Sequence, residues 1–240
     1  MFLLLYRFFI NRVWKGILEP KVIIEGSPRS FTAGFGGSTL ALAIKDLRLV
    51  FRKTSMIAGL LIPPYFILPP VFMMVRNGKF PKELVIGMMA IISFFSTVNA
   101  DILLRVEGKE IDFLRILPVK KSQFILGKAI SMSTLPIIFS IILICLGFYF
   151  DRIALIFLPH AFLMPLDVSL LTMIYLFHYK GEEIGIPGKD LLRTIVLLII
   201  NGILVGAFAV PAFSIPFPNG FAISLAAAVI AFVAMMGKVK

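Results

Sequence analysis

Charge is scarce in this chain: Asp, Glu, Lys and Arg make up 15% of its 240 residues, and only 13 of them are acidic. That is well below the share expected of a soluble globular domain. Histidine is confined to His160 and His178 and cysteine to Cys145. With one cysteine no disulfide can close within the chain, and with so few ligand-type side chains no zinc spacing appears. No nucleophile elbow is present either, so neither a metal centre nor an enzyme is expected. Two glycine clusters invite a phosphate-loop reading and fail it. GFGGST at 34–39 lacks the Gly-Lys-Ser/Thr ending and a preceding strand, and Gly127-Lys128 is followed by Ala129 where a magnesium-binding hydroxyl would be needed. The first reads as a flexible linker.

What the chain has in abundance is apolar residues, 59% of the total, arranged in long uncharged runs. In lipid every backbone amide must bond within its own helix or a closed barrel, and about 20 apolar residues cross the hydrocarbon as a helix. Long uncharged runs select the helix. Six such runs predict an all-α, polytopic membrane protein with transmembrane helices at 56–75, 84–104, 129–150, 153–177, 194–213 and 219–237. Cys145 then reads as a core or lipid-facing residue.

The net charge of +11 is distributed asymmetrically. Twenty Lys and Arg fall on the side holding residues 1–55, the 105–128 loop, the 178–193 loop and the C-terminus, against four on the other: Arg76, Lys79, Lys82 and Arg152. Basic loops are retained in the cytoplasm, so both termini are expected there, in a cell membrane with anionic lipid as a partner and no nucleic acid.

The first ten residues, MFLLLYRFFI, are apolar but too short to span and carry Arg7 inside the run. They lack a signal peptide's basic leader and cleavage site. They read either as the inner end of a helix whose beginning is absent, making the chain the C-terminal half of a longer permease, or as a short surface helix. The expected division is therefore 1–43, a cytoplasmic segment and linker, and 44–240, a six-helix permease domain.

Inside the spans, Asp167 is the one mid-span carboxylate, at a position where a charge costs about 2.5 to 3.5 kcal/mol. It reads as a pathway or coupling residue, or as a carboxyl hydrogen-bonded to a neighbouring helix. His160 and Asn201 read as packing residues. Pro63, Pro64, Pro69 and Pro70 in the first span, and Pro159 and Pro165 in the fourth, predict kinks or breaks.

The loop RVEGKEIDFLRILPVKKSQFILGK at 105–128 carries Ile111, Leu114 and Leu117 at helical spacing, with Glu107, Glu110, Asp112 and Arg115 as a charged face. Pro118 stops this short amphipathic helix. On periodicity alone it is an interfacial helix resting on headgroups. Its place in the chain resembles ABC-2-type transporter permeases, whose acidic helix after the second span runs Glu, Gly, a Leu-rich segment, Leu-Pro-Val, then Gly-Lys opening the third span. The matching residues are Glu107, Gly108, Phe113, Leu114, Leu117, Pro118, Val119, Gly127 and Lys128. IKDLRLVFRK at 44–53, with Lys45, Asp46, Arg48 and Arg52, resembles the family's amphipathic elbow helix.

The resemblance implies a coupling helix at Glu107, Glu110, Asp112, Phe113, Leu114, Arg115, Leu117 and Pro118, received by a separate ATP-binding subunit. ATP and magnesium would be bound by that partner and no cofactor by this chain. It also implies pairing of two six-helix domains, as a homodimer or with a homologous half, and transport mostly outward. A secondary transporter or channel without an ATPase partner is the alternative.

Overall fold

The computed structural model describes residues 37–52, 68–69, 71–72, 75–76, 78, 81–107, 120–180 and 191–239. By packing, the chain divides into Met1–Gly34 and Phe35–Lys240, and every described residue belongs to the second unit. Among the described residues all regular structure is helical: α1 Gly37–Arg52, α2 Lys82–Glu107, α3 Lys121–Phe150, a 3-10 segment Arg152–Phe157 leading into α4 Leu158–Lys180, α5 Leu191–Ser214 and α6 Asn219–Val239.

Four of these segments, Lys121–Phe150, Arg152–Phe177, Ile195–Ser214 and Asn219–Val239, are long and apolar enough to cross a membrane. At 1.5 Å rise per residue, roughly 20 residues cover the hydrocarbon thickness. Helix α2 is 26 residues long and covers the second expected span. The first expected span lies outside the described residues apart from short pieces, of which 68–69, 71–72 and 75–76 are helical and Val71 packs against the core.

Several boundaries differ from expectation for identifiable reasons. Helix α3 begins at Lys121, eight residues ahead of the apolar run at 129. The Gln123 side chain accepts a hydrogen bond from the Lys120 backbone N–H at 3.2 Å, satisfying one helix-start donor. A charge at Lys128 does not end the helix because it has a partner, described below. Helix α1 begins at Gly37, inside the expected linker, and Leu42 and Ala43 are buried.

The prolines inside α3, α4 and α5 do not break those helices. Pro159 occupies the first turn of α4, where the missing N–H has no helical acceptor to satisfy. Pro165 lies inside α4, and Pro136 and Pro211 lie inside α3 and α5; each helix continues through its proline. The expected break in the fourth span falls instead at the 3-10 segment ahead of Leu158. Pro63, Pro64 and Pro70 lie outside the described residues.

Helix α4 is the axis of the bundle, packing against α2, α3, α5 and α6. Helix α2 packs against α3, α4 and α5, while α1 lies along α3. The membrane-length window of α4 is 56% buried, against 22% for those of α5 and α6. One apolar cluster joins Ile86, Met89, Ile144, Phe157, Met164, Phe208 and Phe221; the other joins Ile125, Met132, Leu170, Met173, Leu197 and Met235. Outward, α5 and α6 present Ile203 at 69% and Ile230 at 67% exposure, with Ile199, Val210, Val229 and Val233 beside them. An apolar exterior of that extent is suited to lipid tails, not water.

At one end of the bundle the 151–157 and 214–219 connections meet the start of α2. Lys82 Nζ sits 4.5 Å from the Phe217 ring centroid, and Phe221 meets Phe157 edge-on at 5.5 Å and His160 at a tilt at 4.7 Å between ring centroids. Gly220 permits that closure: a Cβ there would collide with the carbonyl oxygens of Pro211 and Ile215. The opposite end carries α1, the start of α3 and the end of α4, where Lys121 Nζ lies 5.0 Å from the Phe177 ring and Phe177 lies 5.8 Å from Phe124.

Candidate functional site

Two polar constellations interrupt the apolar bundle. The first joins α1 to the opening turns of α3. Asp46 and Lys128 are buried, at 2% and 0% exposure, and Lys128 Nζ lies 2.9 Å from Asp46 Oδ2. Ser131 Oγ lies 3.3 Å from the same carboxylate oxygen and donates to the Lys128 carbonyl at 2.8 Å. The Lys128 ammonium also stands 5.6 Å from the Phe124 ring centroid. Two ions withdrawn from water this completely recover their desolvation cost only through close mutual contact, so the pair specifies one seating of α1 on α3.

Gly127, one residue earlier, is what lets the helices come together. A Cβ at that position would lie 2.9 Å from the Thr39 carbonyl oxygen and 3.0 Å from Leu42 Cβ. The Gly-Lys pair quoted above from the loop's end is therefore a docking element: glycine supplies the room and lysine the counter-ion.

Helix α1 has three faces, which follow from its 100° per residue pitch. Thr39, Leu42, Ala43 and Asp46 share the face turned to α3, where the last three are buried. Leu40, Ile44, Leu47 and Phe51 share a second face, on which Leu40, Ile44 and Phe51 are exposed at 39%, 40% and 57%. Lys45, Arg48 and Arg52 share the third; Arg48 is exposed, Lys45 is half-buried and the Arg52 side chain lies outside the described residues. An exposed apolar stripe beside a basic stripe suits the boundary between hydrocarbon and headgroups.

The second constellation lies across the middle of α4. Asn201 Nδ2 donates to Thr97 Oγ1 at 2.8 Å and to Thr172 Oγ1 at 2.9 Å, tying α5 to α2 and α4 with fully or nearly fully buried groups. Twelve residues and about three turns from Thr172 toward the other end of α4, His160 Nε2 is 3.2 Å from Ser224 Oγ on α6. Between these levels sits Asp167, wholly buried, with neither carboxylate oxygen holding a hydrogen-bond partner. Ser96 Oγ, Ser140 Oγ, Asn201 Oδ1 and His160 Nδ1 are likewise buried without partners. Of the two sequence readings of Asp167, a carboxyl bonded to a neighbouring helix is not the arrangement found.

The coupling-helix residues Glu110, Asp112, Phe113, Leu114, Arg115, Leu117 and Pro118 lie outside the described residues, and Glu107 is described only as the last backbone position of α2. Sequence reasoning grouped Asp46 with the elbow-helix charges Lys45, Arg48 and Arg52, whereas Asp46 turns inward to meet Lys128 and Arg48 is exposed. It also left Thr97, Thr172, Ser140 and Ser224 unremarked. Hydroxyl residues are common in apolar helices, and only the partner across the interface distinguishes a network member from a helix-satisfied one such as Ser169, bonded to the Pro165 carbonyl at 2.7 Å. Among the described residues no group of three or more His, Cys, Asp or Glu could hold a metal ion. Cys145 faces outward.

Over residues 1–238 the chain matches the family described as "Membrane protein of 12 TMs". It belongs to that family of multi-pass membrane proteins. No curated protein and no solved structure matches it.

Proposed function

We propose that this member of the twelve-span membrane family is the membrane-spanning permease subunit of an ATP-driven transporter of the ABC-2 type, acting as an exporter. In this reading six spans cross the cell membrane, with α1 and the start of α3 on the cytoplasmic side. The 105–128 loop docks on a separate ATP-binding subunit, which holds ATP and magnesium. The family's twelve spans are twice the six read here, which supports a working unit of two six-span sets around one pathway.

One observation carries the reading: an amphipathic helix seated on the first turns of α3 through Gly127 and the Asp46–Lys128 pair. In the sequence, residues 108–119 stand immediately before Lys120 and those turns. Force delivered to the loop by closing nucleotide-binding subunits would therefore reach α3 and α1 together. Through α4, which α3 packs against along its length, it would reach the rest of the bundle. Coupling of this kind needs a contiguous packed element with two arrangements, and the α1–α3–α4 stack supplies the contiguous part.

Copurification with a co-expressed ATP-binding subunit tests this. Changing Glu107, Glu110 and Leu114 together is expected to abolish copurification while leaving the chain in the membrane. Binding that survives those changes places the coupling surface elsewhere, and absence of binding by the native chain overturns the permease reading. The second reading, a secondary transporter or channel with no ATPase partner, is favoured by one feature, the unpaired carboxylate of Asp167 at the centre of the bundle.

A further inference from the structure

We infer that Asp167 is a proton-binding site, carrying its proton while the helices close around it and exchanging that proton with water when the bundle opens.

Asp167 is 0% exposed, on the helix that packs against α2, α3, α5 and α6, and both of its oxygens lack a hydrogen-bond donor. An ionised carboxylate in such a place would bear the full cost of leaving water with nothing returned by a partner. A small cation would neutralise it but would need several converging oxygens. A proton needs neither room nor ligands, only an oxygen lone pair.

Among the described residues the surrounding helices supply no counter-charge at this depth. Helix α2 has no ionisable side chain from 84 to 100, α3 none from 129 to 144, α5 none from 194 to 214 and α6 none from 219 to 237. The nearest charged groups on those helices stand at their ends: Lys82 and Glu83, Asp101, Arg105 and Glu107, Lys121, Arg193 and Lys238, while Lys128 is engaged by Asp46. On α4 itself, His160 lies seven residues away, two turns along the same face and about 10 Å distant at the helical rise, and bonds Ser224. Tyr175, His178 and Lys180 lie toward the other end.

A route for discharge is marked by polar groups at neighbouring depths. Thr97, Thr172 and Asn201 share one level because they bond one another, and Asp167 sits five residues, about 7.5 Å, from Thr172 along α4. Ser96 and Asn201 each offer a buried oxygen with unused bonding capacity, as water entering an opened bundle would require. Protonation in the closed bundle stands on burial alone; discharge on opening rests on the transport reading.

Infrared difference spectroscopy of the full chain in lipid vesicles, without any ATPase, reads this directly. At neutral pH the native protein is expected to show the carbonyl stretch of a protonated carboxyl that is lost in Asp167→Asn and shifted but retained in Asp167→Glu, while His160→Asn leaves it in place. Asp167→Asn, a neutral isostere, should melt at the temperature of the native protein. The band should fall reversibly as the vesicles are taken to alkaline pH. A native spectrum without a protonated-carboxyl band that Asp167→Asn removes would mean that the group is ionised, and a band that no pH removes would mean that the proton never exchanges; either result overturns the proposal. Because no partner is present, failure here leaves the copurification result untouched, and failure of copurification leaves the infrared band untouched.

Discussion

Asp46 and Lys128, 82 positions apart in the chain, meet at 2.9 Å with scarcely any exposure to solvent. Their contact turns an amphipathic helix and a Gly-Lys dipeptide, separately readable in the sequence, into one structural joint.

That joint predicts a non-additive response. Removing one member of a buried pair strands the other, at a cost of about 3 to 5 kcal/mol, whereas replacing both with neutral groups of similar size is close to neutral. Asp46→Asn and Lys128→Met alone are expected to lower the unfolding temperature and to open α1 to trypsin at Arg48. The double variant should recover most of the loss. Equal and additive effects would show that the two side chains do not act as a pair.

Glycine substitutions should sort by what their Cβ would meet. Gly220→Ala drives a methyl into two backbone carbonyls and Gly127→Ala presses on Thr39 and Leu42, so both should destabilise, by about 1 to 3 kcal/mol, the first more than the second. Gly202→Ala and Gly206→Ala meet nothing within 4 Å and should be tolerated. Thermal unfolding of the purified protein decides the order.

The Asn201 network can be apportioned by double-mutant cycles. Asn201→Leu removes two bonds across helices, while the Thr172 hydroxyl keeps its own bond to the Val168 carbonyl at 2.7 Å. Interhelical bonds of this type in membranes contribute about 0.6 kcal/mol on average, with a maximum near 1.7. The coupling of Asn201→Leu with Thr97→Val should fall in that range, and a coupling of zero would mean that the bond is not made in the membrane.

The twenty-to-four distribution of basic residues over the six expected spans predicts cytoplasmic termini. In a Cys145→Ser background, a cysteine placed at Pro216 should react with an impermeant maleimide from outside intact cells, and one placed at Arg48 only after the membrane is opened. The reverse pattern would invert the protein and put α1 on the wrong side for an ATPase.

Much of this protein was legible in the chain because lipid imposes a simple rule: a run without charge must be a helix, and its length is set by the bilayer. The runs at 129–150, 153–177, 194–213 and 219–237 reappear as α3 to α6, and 84–104 as the middle of α2, with ends shifted where Gln123 or Lys128 extends a helix past the apolar limit. The amphipathic helix near Asp46 was visible from its charges, as was the oddity of a carboxylate at Asp167. Pairings were not. Whether Asp46 faces water or Lys128, whether Asn201 reaches two threonines, and whether Asp167 has any partner depend on rotations and contacts between helices remote in sequence. The bilayer is indifferent to those rotations as long as each outward face is apolar, so only close packing around α4 selects one arrangement.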